Sequence, residues 1–335
     1  MTLGGFELCC PQCRGALAQG DTPDADIECT VCRRRYPVVA GIPDLRIHSD
    51  PYIDPAADRA KGAHLAERMN DLTFEELVHY YYSVTSVVPP KHARQYTQGL
   101  MWAVQRAENS LRGWQDLAGV ELGGSLLDVG CGTAPLLVAA RPNCDRAIGV
   151  DVAFRWLVVG KKRLAEAGVD VPLVCASVEA LPFRPETFDV TVMDAVIEHV
   201  SDQPKALEEC RRVLRNRGSL FVSTPNRTSL GPDPHTGLWA GGILPERAVA
   251  WYVRRLGGIP PHRHFLTRSS LVRLLGEAGF NGVNATVPAI SDAQRAGLSG
   301  LKRALVDGYH FARRRPMLRS ILFRIGPHLL ATARK

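Results

Sequence analysis

Apolar residues between positions 56 and 118 recur at roughly helical spacing, which predicts helices for this part of the chain. One pattern ends near Tyr81 and a second begins near Tyr96. Pro89 and Pro90 separate the two patterns, because proline lacks the N–H group that a helix interior uses. The segment is therefore predicted to contain two helical stretches.

A different pattern begins at residue 125, where the apolar run 125–129 leads directly into Gly130 and Gly132. Glycine adopts positive φ and lets the backbone approach a ligand, because it has no Cβ. The next apolar run, 147–150, ends at Asp151, about twenty residues after the turn, where a ribose-binding carboxylate is placed in nucleotide-binding folds. The pattern predicts a strand, a glycine turn and a helix that hold a nucleotide-like cofactor.

The glycine turn is the first of four segments that follow one another along the chain and carry a family resemblance. They are GSLLDVGCGTA at 124–134, SVEALPF at 177–183, TFDVTVMDAVIEHV at 187–200 and RRVLRNRGSLFVSTPN at 211–226. Together they resemble the class I S-adenosylmethionine (SAM) dependent methyltransferases, specifically the type 11 group that includes the ubiquinone-pathway O-methyltransferases. The resemblance implies an α/β fold with a Rossmann-like sheet of seven mostly parallel strands and an antiparallel last strand, which the segment 328–335 resembles.

The resemblance also implies the contacts to SAM. Asp128 and the glycine turn would contact the methionine end, Asp151 would bind the ribose hydroxyls, and the Val178 amide would meet adenine. Ser177 departs from the family, which usually has Asp there, and Asp194 would contact SAM or the acceptor. The implied cofactor residues are Asp128, Gly130, Cys131, Gly132, Asp151, Val152, Ser177, Val178 and Asp194.

Methyl transfer from a sulfonium is an in-line displacement, and O-methylation also needs a base near the carboxyl ends of the fourth and fifth strands. His199 is the first candidate by its position, followed by His262 and His264. A purely structural role for His199 on its helix is the alternative. These three histidines are the predicted catalytic candidates.

The cysteines at the start of the chain form two CxxC pairs, Cys10 with Cys13 and Cys29 with Cys32, separated by fifteen residues. This spacing predicts a zinc ribbon in which four thiolates close a tetrahedral structural site. With the segment 34–45 the pairs resemble the small zinc ribbon of the tRNA-methyltransferase activator family. A ribbon of about forty residues has little core of its own, so Zn²⁺ would supply much of its folding free energy.

These motifs divide the chain into a zinc ribbon at 1–49, a helical linker or lid at 50–120 and a SAM-binding methyltransferase domain at 121–335. An irregular insertion at 227–265 is expected to overhang the acceptor pocket, because open α/β sheets bind ligands at the carboxyl ends of their strands. A basic helical insertion is expected at 291–325.

The excess positive charge of the chain is concentrated in its last 36 residues, 300–335. The whole chain has 41 basic and 34 acidic residues, a net charge of +7, whereas residues 300–335 alone have nine basic residues and one acid. Three interpretations stay open: a solvated helix face, a site for an anionic acceptor such as RNA or a phosphorylated lipid carrier, and a helix on a membrane surface. No apolar run approaches membrane-spanning length and no secretory leader is recognisable, so a cytoplasmic protein is expected.

Two functions follow from these features. The first is SAM-dependent O-methylation of a small-molecule, glycan or lipid-linked natural-product acceptor. The second is methylation of an rRNA or tRNA base, because a zinc ribbon ahead of this fold resembles the bacterial rRNA guanine methyltransferases. The ribbon is not notably basic, which favours the first function. A SAM-binding partner without catalysis is a further alternative.

Overall fold

The computed structural model describes residues 1–20, 22, 25–85, 88, 90–290, 295 and 298–335, without the side chains of 90–92 and 302. The opening segment consists of short strands: β1 (Thr2–Leu3), β2 (Phe6–Glu7), β3 (Leu17–Gln19), β4 (Ile27–Cys29), β5 (Arg35–Tyr36), β6 (Val38–Val39) and β7 (Ile42–Pro43). Strands β3, β4 and β5 form an antiparallel sheet, and β1–β2 and β6–β7 are separate hairpins.

This segment is helical as predicted, but each of the two predicted stretches is divided in two: α1 (Pro55–Arg68), α2 (Phe74–Ser83), α3 (Pro90–Met101) and α4 (Ala103–Ala118). The first apolar pattern is divided between two helices, because Thr73 and Glu76 form a capping box that starts α2. Pro89 lies outside the described residues, and α3 begins at Pro90.

The central sheet confirms the predicted fold class. Its strands are β8 (Ser125–Val129), β9 (Arg146–Asp151), β10 (Leu173–Cys175), β11 (Phe188–Asp194), β12 (Leu214–Pro225), β13 (Asn281–Thr286) and β14 (His328–Arg334). Their order is β10-β9-β8-β11-β12-β14-β13; β8 to β12 are parallel, and β14 runs antiparallel to both of its neighbours.

Helices α5 (Pro135–Ala140), α6 (Phe154–Glu166), α7 (Gln203–Val213), α8 (Glu246–Arg255), α9 (Arg268–Glu277), α10 (Gly300–Arg314) and α11 (Pro316–Ile325) join these strands. The sequence predicted only irregular structure at 227–265, but this insertion contains α8, of which Val249 alone is buried. Most of the predicted helical insertion at 291–325 is helical in α10 and α11, while 291–294, 296 and 297 lie outside the described residues. Within the described part of the chain, no helix combines the length and the apolar character needed to cross a membrane.

The ribbon shares its core with the sheet. Phe6 packs against Phe188 of β11 with ring centroids 5.0 Å apart, and Phe183 meets the same ring edge-on at 5.0 Å. The Cys9 N–H donates to the Pro182 carbonyl, and the Leu45 N–H donates to a carbonyl of the edge strand β10. The division of the chain at 49 and 120 stays a prediction, but the ribbon and the α/β unit are packed as one body of apolar side chains.

On the opposite face of the sheet, the helices α1, α2 and α4 cover a second apolar cluster. Trp114 of α4 is fully buried there, stacks on Phe221 at 5.8 Å and donates from Nε1 to the Val222 carbonyl at 3.1 Å. This bond satisfies the indole N–H, which would otherwise be costly to bury.

A buried carboxylate joins the three parts of the chain. Asp58 on α1 is 0% exposed, and it accepts hydrogen bonds from Arg46 and Arg155 at 2.8 Å each and from the Phe154 N–H at 2.7 Å. The same arginines hold Asp44 and Asp50 at 2.7 and 2.8 Å. The chain between the ribbon and α1 is therefore fixed to the first turn of α6.

Replacing Asp58→Asn is expected to lower the free energy of unfolding by about 3–5 kcal/mol, because two buried arginines lose a charged partner. Urea unfolding measures this difference. The control is Asp54→Asn on the same helix: Asp54 is exposed and caps α1, and asparagine caps equally well, so a change within about 0.5 kcal/mol is expected. Equal losses in both variants would contradict the role of Asp58.

Candidate functional site

A cavity of about 730 Å³ opens at the carboxyl ends of β8 to β11, where ligands bind in open α/β sheets. Gly130, Asp151, Val178 and His199 line it from the sheet side. Residues 48–52, at the junction of the ribbon and the linker, also line it.

The glycine turn and Asp151 hold each other in place. Gly130 and Gly132 have φ of 70° and 50°, and a Cβ on Gly130 would clash with Val196. The Asp151 carboxylate accepts from the Gly132 N–H at 2.8 Å and from the Ala153 N–H at 2.7 Å. The carboxylate is thus fixed at the end of β9, facing the cavity.

Three acids meet around the turn. Asp128 is 2% exposed, and its Oδ2 has no hydrogen-bond partner among the described residues. Burial, together with the nearby Asp194 and Asp151, raises the pKa of Asp128 well above its usual range. Burial also raises the pKa values of Asp151 and Asp194, although the Ser223 hydroxyl donates to Asp194. Such a cluster is suited to a ligand that carries positive charge.

The other end of the cavity is formed after β10. Ser177 caps the short 3₁₀ turn Val178–Ala180 and accepts from the Glu179 N–H at 3.3 Å. The Ser177 hydroxyl donates to the Glu179 carboxylate, so its oxygen is left to act as an acceptor. Val152, the next residue after Asp151, lines the cavity and accepts from Arg46 through its carbonyl at 2.9 Å. Cys131 is buried within the turn itself.

A second cavity of about 340 Å³ adjoins the first and shares Tyr52 and Arg155 with it. Its lining is mainly aromatic and aliphatic, and α8 of the 227–265 insertion supplies part of it. The sequence predicts that the 227–265 insertion overhangs the acceptor pocket, but it does not single out most of the lining residues, which come from helices and loops without a common spacing: Tyr52, Ile53, Lys61, Tyr81, Thr85, Tyr96, His235, Tyr252, Val253, Leu256 and Ile259.

His199 lies where the two cavities meet. Its Nδ1 is 2.9 Å from the His262 carbonyl, which can only accept, so Nδ1 carries the proton and Nε2 keeps a lone pair. The His235 ring, which lines the second cavity, packs edge-on against His199 at 4.6 Å. Burial lowers the pKa of His199, and burial together with the neighbouring His199 lowers the pKa of His235 to about 3. Both imidazoles are therefore neutral at neutral pH.

The other two predicted histidines occupy different positions. His262 holds His199 through its carbonyl, and its own N–H donates to the Tyr52 hydroxyl oxygen at 2.7 Å. His264 is exposed, and its N–H donates to the Glu198 carbonyl at 2.6 Å. Neither ring lines one of the two cavities. His199 lines the first cavity, while its catalytic role stays a prediction. His235 was expected near the acceptor pocket only as part of the 227–265 insertion.

The four paired cysteines form a separate cluster, with ligand atoms all within 4.8 Å of one another. The Sγ atoms of Cys10 and Cys32 are 3.7 Å apart, and those of Cys13 and Cys29 are 3.4 Å apart. Tetrahedral zinc with bonds of about 2.3 Å requires sulfur separations of about 3.8 Å, so the set fits this metal. Cys9 is buried outside this cluster.

Residues 127–222 match the methyltransferase domain family. The chain is 30% identical over 162 residues to the ubiquinone biosynthesis O-methyltransferase of Idiomarina loihiensis, covering 48% of this chain and 63% of that protein. The ubiquinone biosynthesis O-methyltransferase of Nitrosospira multiformis is 29% identical over 210 residues, which cover 62% of this chain and 78% of that protein. This chain thus spans less than two thirds of the length of the Idiomarina relative.

Among solved structures, a SAM-dependent methyltransferase of Thermotoga maritima is similar at 20% identity, with a TM-score of 0.45 and coverage of 72% of this chain and 97% of that one.

Proposed function

We propose that the protein transfers a methyl group from SAM to an acceptor, in line with the match of residues 127–222 to the methyltransferase domain family. The acid cluster carries the proposal: an unpartnered Asp128 oxygen and the nearby Asp151 and Asp194 face the region of the glycine turn. SAM brings an ammonium and a sulfonium, two positive charges that offset this cluster. SAM would supply the methyl group.

The residues of the chain would bind and orient the two reactants. The turn 130–132 and Asp128 hold the methionine end in this proposal, Asp151 binds the ribose hydroxyls, and Ser177 and Val178 meet adenine. Because the sulfonium is already activated, alignment of the acceptor with the methyl carbon is the main task of the site. The shared wall at Tyr52 and Arg155 is where acceptor and methyl group would meet.

Asp151→Asn is expected to weaken SAM binding by at least about tenfold, because a charged acceptor of the ribose hydroxyls becomes neutral. Isothermal titration calorimetry measures the affinity, and circular dichroism checks the fold. The matched control is Asp145→Asn, an exposed residue just before the other end of β9, which should leave the affinity unchanged. If the unmodified protein fails to bind SAM at micromolar concentration, the proposal is wrong.

For the acceptor we propose a hydroxyl group on a small or lipid-linked, largely apolar molecule. The second cavity supports this through its volume of about 340 Å³ and its mainly aromatic and aliphatic lining. An RNA acceptor finds less support, since Arg33 and Arg35 of the ribbon are paired with Glu28 and Asp26 at 3.2 and 3.1 Å. The relatives are named as O-methyltransferases.

Peripheral contact with a membrane would suit a lipid-linked acceptor. Helices α10 and α11 carry arginines beside exposed apolar side chains, and α8 next to the second cavity exposes Trp251. Amphipathic basic helices of this kind bind anionic lipid surfaces. The exposed apolar side chains of α10 and α11 are Leu301, Leu305, Phe311, Met317, Leu318, Ile321 and Ile325.

Incubation with SAM is expected to methylate small phenols or their prenylated analogues and not total rRNA or tRNA, with S-adenosylhomocysteine release as the measurement. Val253→Phe, which narrows the second cavity, should lower kcat/KM for such an acceptor at least about tenfold and leave SAM affinity unchanged. Arg254→Ala, on the exposed side of the same helix, is the control. Methyl transfer to RNA alone would contradict this acceptor class.

We further propose that the four cysteines hold a structural zinc ion. Four protein thiolates leave no open coordination position, so this metal would support the ribbon and take no part in catalysis. The Tyr36 hydroxyl lies 3.1 Å from the Cys10 sulfur and would orient it by donating a hydrogen bond.

Cys13→Ser is expected to reduce bound zinc from one ion per chain to nearly none and to lower the free energy of unfolding by at least about 2 kcal/mol, because the ribbon shares its core with the sheet. Atomic emission spectroscopy and thermal unfolding measure the two effects. Cys9→Ala, outside the cluster, should keep the zinc. Stoichiometric zinc in Cys13→Ser would exclude this site.

A further inference from the structure

A lysine in the wall of the second cavity has no acidic partner. Lys61 of α1 is partly buried and lines this cavity. In the part of the chain that the structure describes, it forms no hydrogen bond and no ion pair; its Nζ lies over the Tyr81 ring, 4.8 Å from the centroid. A ring face attracts a cation but leaves the N–H groups of the ammonium available as donors.

The charges beside Lys61 balance without it. The adjoining network consists of three acids and three arginines, ion-paired at 2.7 or 2.8 Å: Asp44, Asp50, Asp58, Arg46, Arg59 and Arg155. The charge of Asp58 acts on Lys61, but both of its carboxylate oxygens already accept from arginine and backbone N–H groups. Lys61 therefore adds one surplus positive charge to the wall of the cavity.

The lining of the second cavity supplies no negative charge. Its described residues include neither Asp nor Glu. Burial raises the pKa values of Tyr52 and Tyr96, so both hydroxyls stay protonated, and His235 is neutral. Burial and the nearby Arg155 lower the pKa of Lys61, as is expected of an ammonium without a counter-ion. A bound molecule with one negative charge would stabilise this ammonium.

We propose that the methyl acceptor carries a carboxylate group that pairs with Lys61, in addition to its hydroxyl group and its apolar frame. One ammonium is a compact point charge and matches a monoanion, whereas a diphosphate or a nucleic acid brings more negative charge than this wall offsets. The mainly aromatic and aliphatic lining receives the apolar frame. The carboxylate subsite stands on the charges of the lining residues, while the identity of its ligand as the methyl acceptor rests on the proposed function.

The position of Lys61 determines which end of the acceptor faces SAM. Lys61 lines the second cavity and not the first, whereas Tyr52 and Arg155 line both. A carboxylate held by Lys61 is therefore away from the proposed SAM cavity, and the hydroxyl end of the acceptor faces the shared wall. An ion pair at one end of a ligand restricts the orientation of the other end. Lys61 is thus a specificity-determining residue that selects hydroxy acids over their neutral analogues.

The test compares naphthoate with naphthamide, two probes of nearly the same shape of which only naphthoate is charged. Isothermal titration calorimetry on the full chain measures both affinities. We expect the unmodified protein to bind naphthoate at least about tenfold more tightly than naphthamide, and Lys61→Met to remove this preference without changing the affinity for naphthamide. Lys61→Arg keeps the charge and should keep the preference.

Arg68→Met is the matched control. Arg68 belongs to the same helix, is exposed, and lies over the Tyr80 ring at 5.5 Å, but it does not line the second cavity. This variant should bind both probes as the unmodified protein does. Val253→Phe, which narrows the cavity, should weaken the binding of both probes and so assign them to it.

Turnover provides a second measurement on hydroxylated forms of the two probes. In Lys61→Met, S-adenosylhomocysteine release should show a higher KM for the acid and an unchanged KM for the amide. Equal affinities of the unmodified protein for the two probes, or equal losses of both in Lys61→Met, would overturn the carboxylate subsite.

Calorimetry with SAM on the same proteins separates this inference from the proposed function, and circular dichroism checks that the variants are folded. SAM binding without a preference for naphthoate would overturn the carboxylate subsite and leave the proposed function standing. A preference for naphthoate that depends on Lys61, in a protein that does not bind SAM, would support the subsite and contradict the proposed function.

Discussion

The position of both cavities depends on one buried carboxylate, that of Asp58. Arg46 near the end of the ribbon donates to it, as do Arg155 and the Phe154 N–H in the first turn of α6, so it ties α1 to the ribbon and to α6. A charge in an apolar interior is tolerated only when it is paired and hydrogen-bonded, which makes this arrangement specific as well as costly to disturb. Arg155, one of its partners, belongs to the wall between the cavities.

The fold was predictable because its motifs are local and follow one another in the order of a known family. The resemblance they carry implied the topology of the sheet, and the antiparallel β14 agrees with that expectation. Two features were missed for the opposite reason. The capping box at Thr73 divides one apolar pattern into two helices, and α8 buries too few side chains to produce a clear pattern.

The difference between local and non-local signals also separates the glycine-turn side of the site from the side where His199 meets His235. Asp128, Gly130 and Asp151 end adjacent parallel strands, so their proximity follows from strand order alone. His235 reaches His199 only because an irregular loop is fixed by Asp233 and Arg263, and no periodicity encodes that contact. The proposed cofactor contacts could therefore be predicted from the sequence through the family resemblance, whereas the contact between His235 and His199 required the three-dimensional structure.

The shared core of ribbon and sheet has a consequence for biosynthesis. Phe6 is among the first residues made, but its packing partner Phe188 follows more than half a chain later. At elongation rates of about 5 to 20 residues per second the interval is roughly nine to thirty-six seconds, during which Phe188 is not yet available to the ribbon. In that period the proposed zinc ion can bind the four thiols before the ribbon packs against the sheet. The nascent chain is thus most exposed to oxidation of its cysteines before the sheet is complete.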